Sequence, residues 1–145
     1  MTPRVDAVVF DVLETLLDLH PIAERLVEVG QRPEVLGAFF MRFQRDAMAL
    51  TLAGDVADYE VVTCDTVGVW KPAPQVYRHA AQALGCEVDR TALVAVHAWD
   101  CHGAKKVGAL AGWCSRLEGE PGDVFLPADV RGEDLVEVAG GLLAL

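Results

Sequence analysis

The chain has 145 residues, of which 52% are apolar and 23% charged, a balance that excludes a disordered chain and fits one domain. Twelve Lys and Arg against 22 Asp and Glu leave a formal charge of −10, so there is no basic face for nucleic acid. The longest stretches free of charge, Thr91–Trp99 and Val107–Ser115, are nine residues each, well short of the roughly 20 that a membrane helix needs. Asp6 interrupts the start before a signal-type apolar run can form, so the expectation is a soluble, cytoplasmic protein with no membrane partner.

Val5–Asp11 (VDAVVFD) is a short, nearly continuous apolar run ending in an acid, the pattern of a strand buried on both faces. Pro21 opens a helical segment with Ile22, Leu26 and Val29 on one side, and Gly30 closes it. From Pro33, the spacing of Leu36, Phe39, Phe40, Phe43, Ala47 and Leu50 predicts a longer amphipathic helix to about Leu52. Glu60–Cys64 reads as a short strand. A helix follows from about Pro74 to Leu84, stopped by Gly85. Ala92–His97 is a second fully buried strand. Asp100 reads as the N-cap of a short helix to about Val107. Leu110–Ser115 is a candidate strand, Glu118–Asp123 a loop and Glu133–Leu143 a closing helix. Strands alternating with helices predict an α/β fold with a mainly parallel sheet.

Ligands in such sheets gather at the carboxyl ends of the strands, where Asp11 and Asp100 fall. A helix-capping role accounts for either acid as well, and Lys71 in VGVWKPAP reads equally as a solvated lysine. Cys64, Cys86, Cys101 and Cys114 show no CxxC pair or zinc-like spacing and read as reduced thiols. The chain has no asparagine, and its single serine, Ser115, sits in no GxSxG turn, which sets a serine hydrolase aside.

Three blocks in order, VVFDVLETLLDL, DTVGVWKPAPQVYRHAAQALG and ALVAVHAWDCHGAKKVGALAG, resemble the haloacid dehalogenase superfamily, closest to its type II (L-2-haloacid) dehalogenases. The resemblance spans nearly the whole chain. It implies a Rossmann-like core with a helical cap inserted after the first strand. Here that is one domain over residues 1–145, with residues 18–58 or so as a reduced cap. It also implies Asp11 as the nucleophile, with Thr15, Lys71 and Asp100 as catalytic partners and Tyr77 as a substrate-binding residue. In the implied reaction a carboxylate displaces halide from the carbon of a small 2-haloacid. Water then cleaves the resulting aspartyl ester. The ammonium of Lys71 keeps Asp11 ionised, Thr15 orients it, and Asp100 holds or deprotonates the water.

Departures from the family pattern narrow the chemistry. The superfamily's phosphatases hold Mg²⁺ with acids at positions occupied here by Leu13 and Val96. Neither offers an oxygen ligand, so the expected hydrolase needs no metal and no other cofactor. His97 stands where the dehalogenases carry an asparagine, and it either orients water or is packed. The family's cap arginine aligns near Phe40; Arg42 and Arg45 are the nearest substitutes, and Arg42 is taken as the substrate-binding candidate. Two solvated arginines on a helix face explain that pair equally well. Only about a dozen residues separate Tyr59 from Lys71, so the family's second motif and part of the cap are missing; Thr63 and Thr66 fall in the later TCDTVG block and do not replace the motif. His20, His79 and His102 match no family site. The expected partner is a small anionic substrate, and the strand edge left open beside Val5–Asp11 leads to the expectation of a homodimer. The rival reading is a non-catalytic remnant of this fold serving as a binding or assembly module, with a phosphatase as a further alternative.

Overall fold

The computed structural model describes residues 4–55 and 67–145. The strand expected at Glu60–Cys64 lies outside them, as do Cys64, Thr63 and Thr66. Four strands, β1 (Ala7–Phe10), β2 (Thr91–Ala95), β3 (Leu110–Cys114) and β4 (Val130–Gly132), form a sheet in that spatial order. All pairings are parallel, with Ala7 opposite Thr91 and Ala92 opposite Leu110. Around the sheet lie α1 (His20–Glu28), α2 (Val35–Ala53), α3 (Pro74–Ala83), α4 (Ala98–Lys106) and α5 (Leu135–Leu143), with a short 3-10 turn at Val88–Arg90. Among the described residues no helix is long and apolar enough to cross a membrane.

The unbroken apolar runs follow from the layers. Alternate side chains of a strand point to opposite faces; both faces of β2 and β3 are covered, whereas the edge strand β1, expected to be buried on both faces, is only half-buried. Leu93 and Ala95 of β2 pack with Ala111, Trp113, Ala98, Cys101, Ala104 and Tyr77, beneath α3 and α4. Ala92, Val94 and the following Val96 pack with Leu110, Cys114, Val138 and Leu142, beneath α5. Small residues let the layers approach. A Cβ on Gly112 would sit 2.4 Å from a Val138 methyl, so α5 seats directly on β3.

The helices carry their own start and stop signals. Pro21 and Pro74 lie in the first turns of α1 and α3, where a missing N–H costs nothing. Gly54, at φ 84°, takes the left-handed conformation that ends α2. Asp134 caps α5 by accepting from the N–H groups of Val136 and Glu137.

The structure departs from the sequence expectations at several points. Asp100 does not cap α4: the cap position is His97, with no side-chain cap bond, and Asp100 sits inside the first turn with its carboxylate turned to other partners. The short strand β4 went unread because VRG has one exposed charged residue and no alternation to detect. The closing helix also begins later, at Leu135, because Glu133 and Asp134 serve its cap.

Candidate active site

Asp11 follows β1 directly, and its N–H is still tied to the carbonyl of Val94. Its carboxylate therefore stands at the carboxyl end of the sheet, between β1 and β2. The Thr15 hydroxyl donates to Asp11 Oδ2 at 2.8 Å and accepts from the Val96 N–H at 3.2 Å. That second bond fixes the hydroxyl's direction, so Thr15 holds one carboxylate oxygen in place. The Lys71 ammonium takes the other, Oδ1, at 2.7 Å.

Lys71 also reaches Asp100 Oδ2 at 2.6 Å, while the Tyr77 hydroxyl donates to Asp100 Oδ1 at 2.6 Å. Asp100 is 1% exposed. Both its oxygens are occupied from inside the protein, so in this geometry it anchors Lys71 and Tyr77 and does not meet cavity water. Burial pushes the Asp100 carboxyl above the usual carboxylate range, against the opposing pull of Lys71 and Tyr77. For Lys71 the balance falls the other way. Burial disfavours its charge, but the carboxylates of Asp100 and Asp11 together raise it above the ordinary lysine value. Tyr77, buried against Asp100, is pushed far up and stays a neutral donor.

Chain geometry explains how distant residues meet here. The Trp70 N–H bonds the Thr51 hydroxyl near the end of α2 at 3.1 Å, which seats the segment bearing Lys71. The Trp70 ring meets Phe43 of α2 edge-on at 5.4 Å. Gly103 of α4 makes room for Tyr77: a Cβ there would lie 2.3 Å from the Tyr77 hydroxyl oxygen and 2.8 Å from Pro72 Cβ.

The loop after Asp11 is held from several sides. Glu14 has φ 64°, unusual for a residue with a Cβ, and its carboxylate lies 2.9 Å from His97 Nε2. Arg116, just after β3, donates to the carbonyls of Glu14 and Thr15. The His97 ring also packs near Trp99, with centroids 5.6 Å apart.

A cavity of about 460 Å³ opens on this cluster, lined by Asp11, Leu13, Lys71, Tyr77, His97 and Trp99 together with Phe40 and Gln44 of α2. The structure thus gathers Asp11, Thr15, Lys71, Asp100, Tyr77 and His97 at one place. It does not bring Arg42 there. Arg42 is exposed and does not line the cavity, and Arg45 is also exposed and paired with its neighbour Asp46 at 2.7 Å. At helical spacing, Phe40 and Gln44 form the inward stripe of α2, while Arg42 lies off it. Glu14, Gln44 and Arg116 escaped sequence reading. For Glu14 the signal was its place three residues after Asp11; Gln44 stood out only as a polar residue between Phe43 and Ala47 on an otherwise apolar stripe.

No protein-family model matches the chain, and no curated relative matches it. Solved structures do. A dehalogenase with intermediate complex superposes with a TM-score of 0.82 at 18% identity, over 99% of each chain. The L-2-haloacid dehalogenase from Xanthobacter autotrophicus matches with a TM-score of 0.79 at 15% identity, over 90% of this chain and 95% of that one. The same enzyme with chloropropionic acid covalently bound gives 0.78 at 14% identity with the same coverage. At these identities the likeness is one of fold: the chain has the α/β fold of the L-2-haloacid dehalogenases.

Proposed function

We propose that the chain is a dehalogenase-like hydrolase that cleaves the carbon–halogen bond of a small 2-halocarboxylic compound, the 2-haloacids being the parent class, through an ester on Asp11. The observation that carries this reading is the Asp11 carboxylate itself. One oxygen is fixed by Thr15 and the other by Lys71, and the group opens on a cavity otherwise lined mainly by apolar side chains. Apolar surroundings leave a carboxylate poorly hydrated, which favours its attack on carbon.

In the first step an Asp11 oxygen bonds to the halogen-bearing carbon, and the halide leaves with the bonding electron pair. Water then adds to the Asp11 carboxyl carbon, its proton passing to His97, which the Glu14 carboxylate holds at the cavity wall. The tetrahedral intermediate's negative charge forms next to Lys71. Its collapse expels the product alkoxide, which takes the intermediate's hydroxyl proton and leaves as the alcohol, so that Asp11 returns as a carboxylate and His97 passes its proton to solvent. Leu13 and Val96 put hydrocarbon at the two positions where a metal-dependent relative would need oxygen, and none of these steps calls for a metal. In this reading α1 and α2 are the reduced helical cap, contributing Phe40 and Gln44 to the substrate cavity.

The test is halide release from 2-chloropropionate, with and without EDTA, followed by a single turnover in ¹⁸O water with enzyme in excess. The expected result is EDTA-indifferent release with label in Asp11 before it reaches product, and no turnover by Asp11→Ala. Label in product alone means direct attack by water and removes the Asp11 ester. Activity that appears only with added Mg²⁺ restores the phosphatase reading, and a folded sample with no activity on any halocarbonyl compound leaves the non-catalytic remnant.

A further inference from the structure

Among the described residues the substrate cavity is lined by a neutral amide and by no uncommitted cation. Gln44 lines it and is 9% exposed, and among the described residues its side-chain amide has no hydrogen-bond partner. No fully buried side-chain polar atom among the described residues lacks a partner, so the Gln44 amide is open to the cavity and available to bond what enters it. Within this site the open position belongs to whatever occupies the cavity. The one lysine lining the cavity, Lys71, is already shared by Asp11 and Asp100 at 2.7 and 2.6 Å. Whether Asp100 is ionised or neutral, the three groups sum to −1 or 0, and no positive charge is left over. Residues 56–66, which the structure does not describe, contain Asp58, Glu60 and Asp65 but no Lys, Arg or His, so they add no side-chain cation. His97 already faces the Glu14 carboxylate.

The geometry points to an uncharged polar group on the substrate, recognised by Gln44: the chain prefers 2-halocarboxamides or 2-halocarboxylic esters to the free 2-haloacids. An amide side chain offers both a donor and an acceptor, which complements a substrate carboxamide at both ends. A carboxylate meets only the donor and brings a charge into a site that is neutral or already negative. The overall charge of −10 further disfavours the approach of an anion. This inference rests on the Asp11 displacement reading, and the chemistry is unchanged: 2-chloropropionamide and water give lactamide, chloride and a proton.

The experiment compares chloride release from 2-chloropropionamide and 2-chloropropionate, near-isosteric compounds that differ in charge, both supplied as racemates. The expected result is a kcat/KM at least 10-fold higher for the amide. Gln44→Leu, which keeps volume and removes the amide, should raise KM for the amide about 10-fold and erode the preference. Phe40→Arg, which adds a cation to the half-buried cavity wall contributed by α2, should swing the ratio toward the acid. Its melting curve checks that the chain still folds. If the unmodified chain turns over the acid faster than the amide, the neutral-substrate inference fails while the Asp11 ester stands. If neither compound releases chloride, the displacement reading falls and takes this inference with it. An unchanged ratio in both variants removes Gln44 as the recognising group.

Discussion

Removing the Lys71 ammonium should cost stability as well as activity. Asp100 is 1% exposed and keeps only the Tyr77 hydroxyl once Lys71 becomes methionine. Breaking one side of a buried ion pair costs about 3–5 kcal/mol, because the remaining charge is stranded. Asp100 can escape by taking up a proton, and that sets a ceiling. From the reference value of 3.8 to pH 7 is 3.2 units, at about 1.4 kcal/mol per unit, or about 4.5 kcal/mol at most. At pH 5 the same ceiling falls to about 1.7 kcal/mol, because only 1.2 units remain. An acid whose folded value is raised destabilises above its unfolded value, and the penalty shrinks as pH falls toward it. Lys71→Met should therefore lose about 3 kcal/mol in urea denaturation at pH 7 and no more than about 1.7 kcal/mol at pH 5. Adding Asp100→Asn, which removes the stranded charge, should restore most of the loss at pH 7. A loss below about 1 kcal/mol that is the same at both pH values would refute the picture of a buried, charge-coupled cluster.

Gly103→Ala should push Tyr77 or Pro72 aside, since its methyl would fall 2.3 Å from the Tyr77 oxygen; a loss of about 2 kcal/mol or more and a lower kcat would appear together in denaturation and halide-release assays. Thr15→Val keeps the shape but frees Asp11 Oδ2 and leaves the Val96 N–H unbonded. We expect kcat to fall about 10- to 100-fold with a smaller change in KM, measured by steady-state halide release. Stability should fall above about pH 10, because Lys71 and Tyr77 both hold their protons more tightly folded than unfolded. Denaturation midpoints from pH 8 to 12 check this, and Tyr77→Phe should remove the tyrosine's share.

The parts legible in the sequence were those with a strong local signature. The doubly buried strands β2 and β3 announced themselves as unbroken apolar runs, and the helix ends as Pro21, Pro74, Gly30 and Gly85. Asp11, Thr15, Lys71, Tyr77 and Asp100 came from the order of three motif blocks, and the sheet brings them within hydrogen-bond distance of one another. What escaped depended on side-chain direction. Asp100 read as a cap because a strand-to-helix junction commonly ends in one; burial and a lysine 29 positions earlier in the chain decide otherwise. Arg42 looked suitable by charge, yet α2 turns Phe40 and Gln44 inward in its stead. No property of a linear sequence distinguishes an arginine on the wet side of a helix from one that reaches substrate when the facing surface is unknown.

Arg116 lies 101 and 102 positions from the carbonyls of Thr15 and Glu14 that it grips, and it does not line the cavity. A screen for activity-lowering mutations should nonetheless return it. Losing the guanidinium unfastens a turn whose Glu14 already adopts an unusual backbone angle. The freedom gained there is felt at Thr15, and through its hydroxyl at Asp11. Ranking residues by distance from the reacting carboxylate would place Arg116 low; ranking them by how they restrain the turn after β1 would place it near the top.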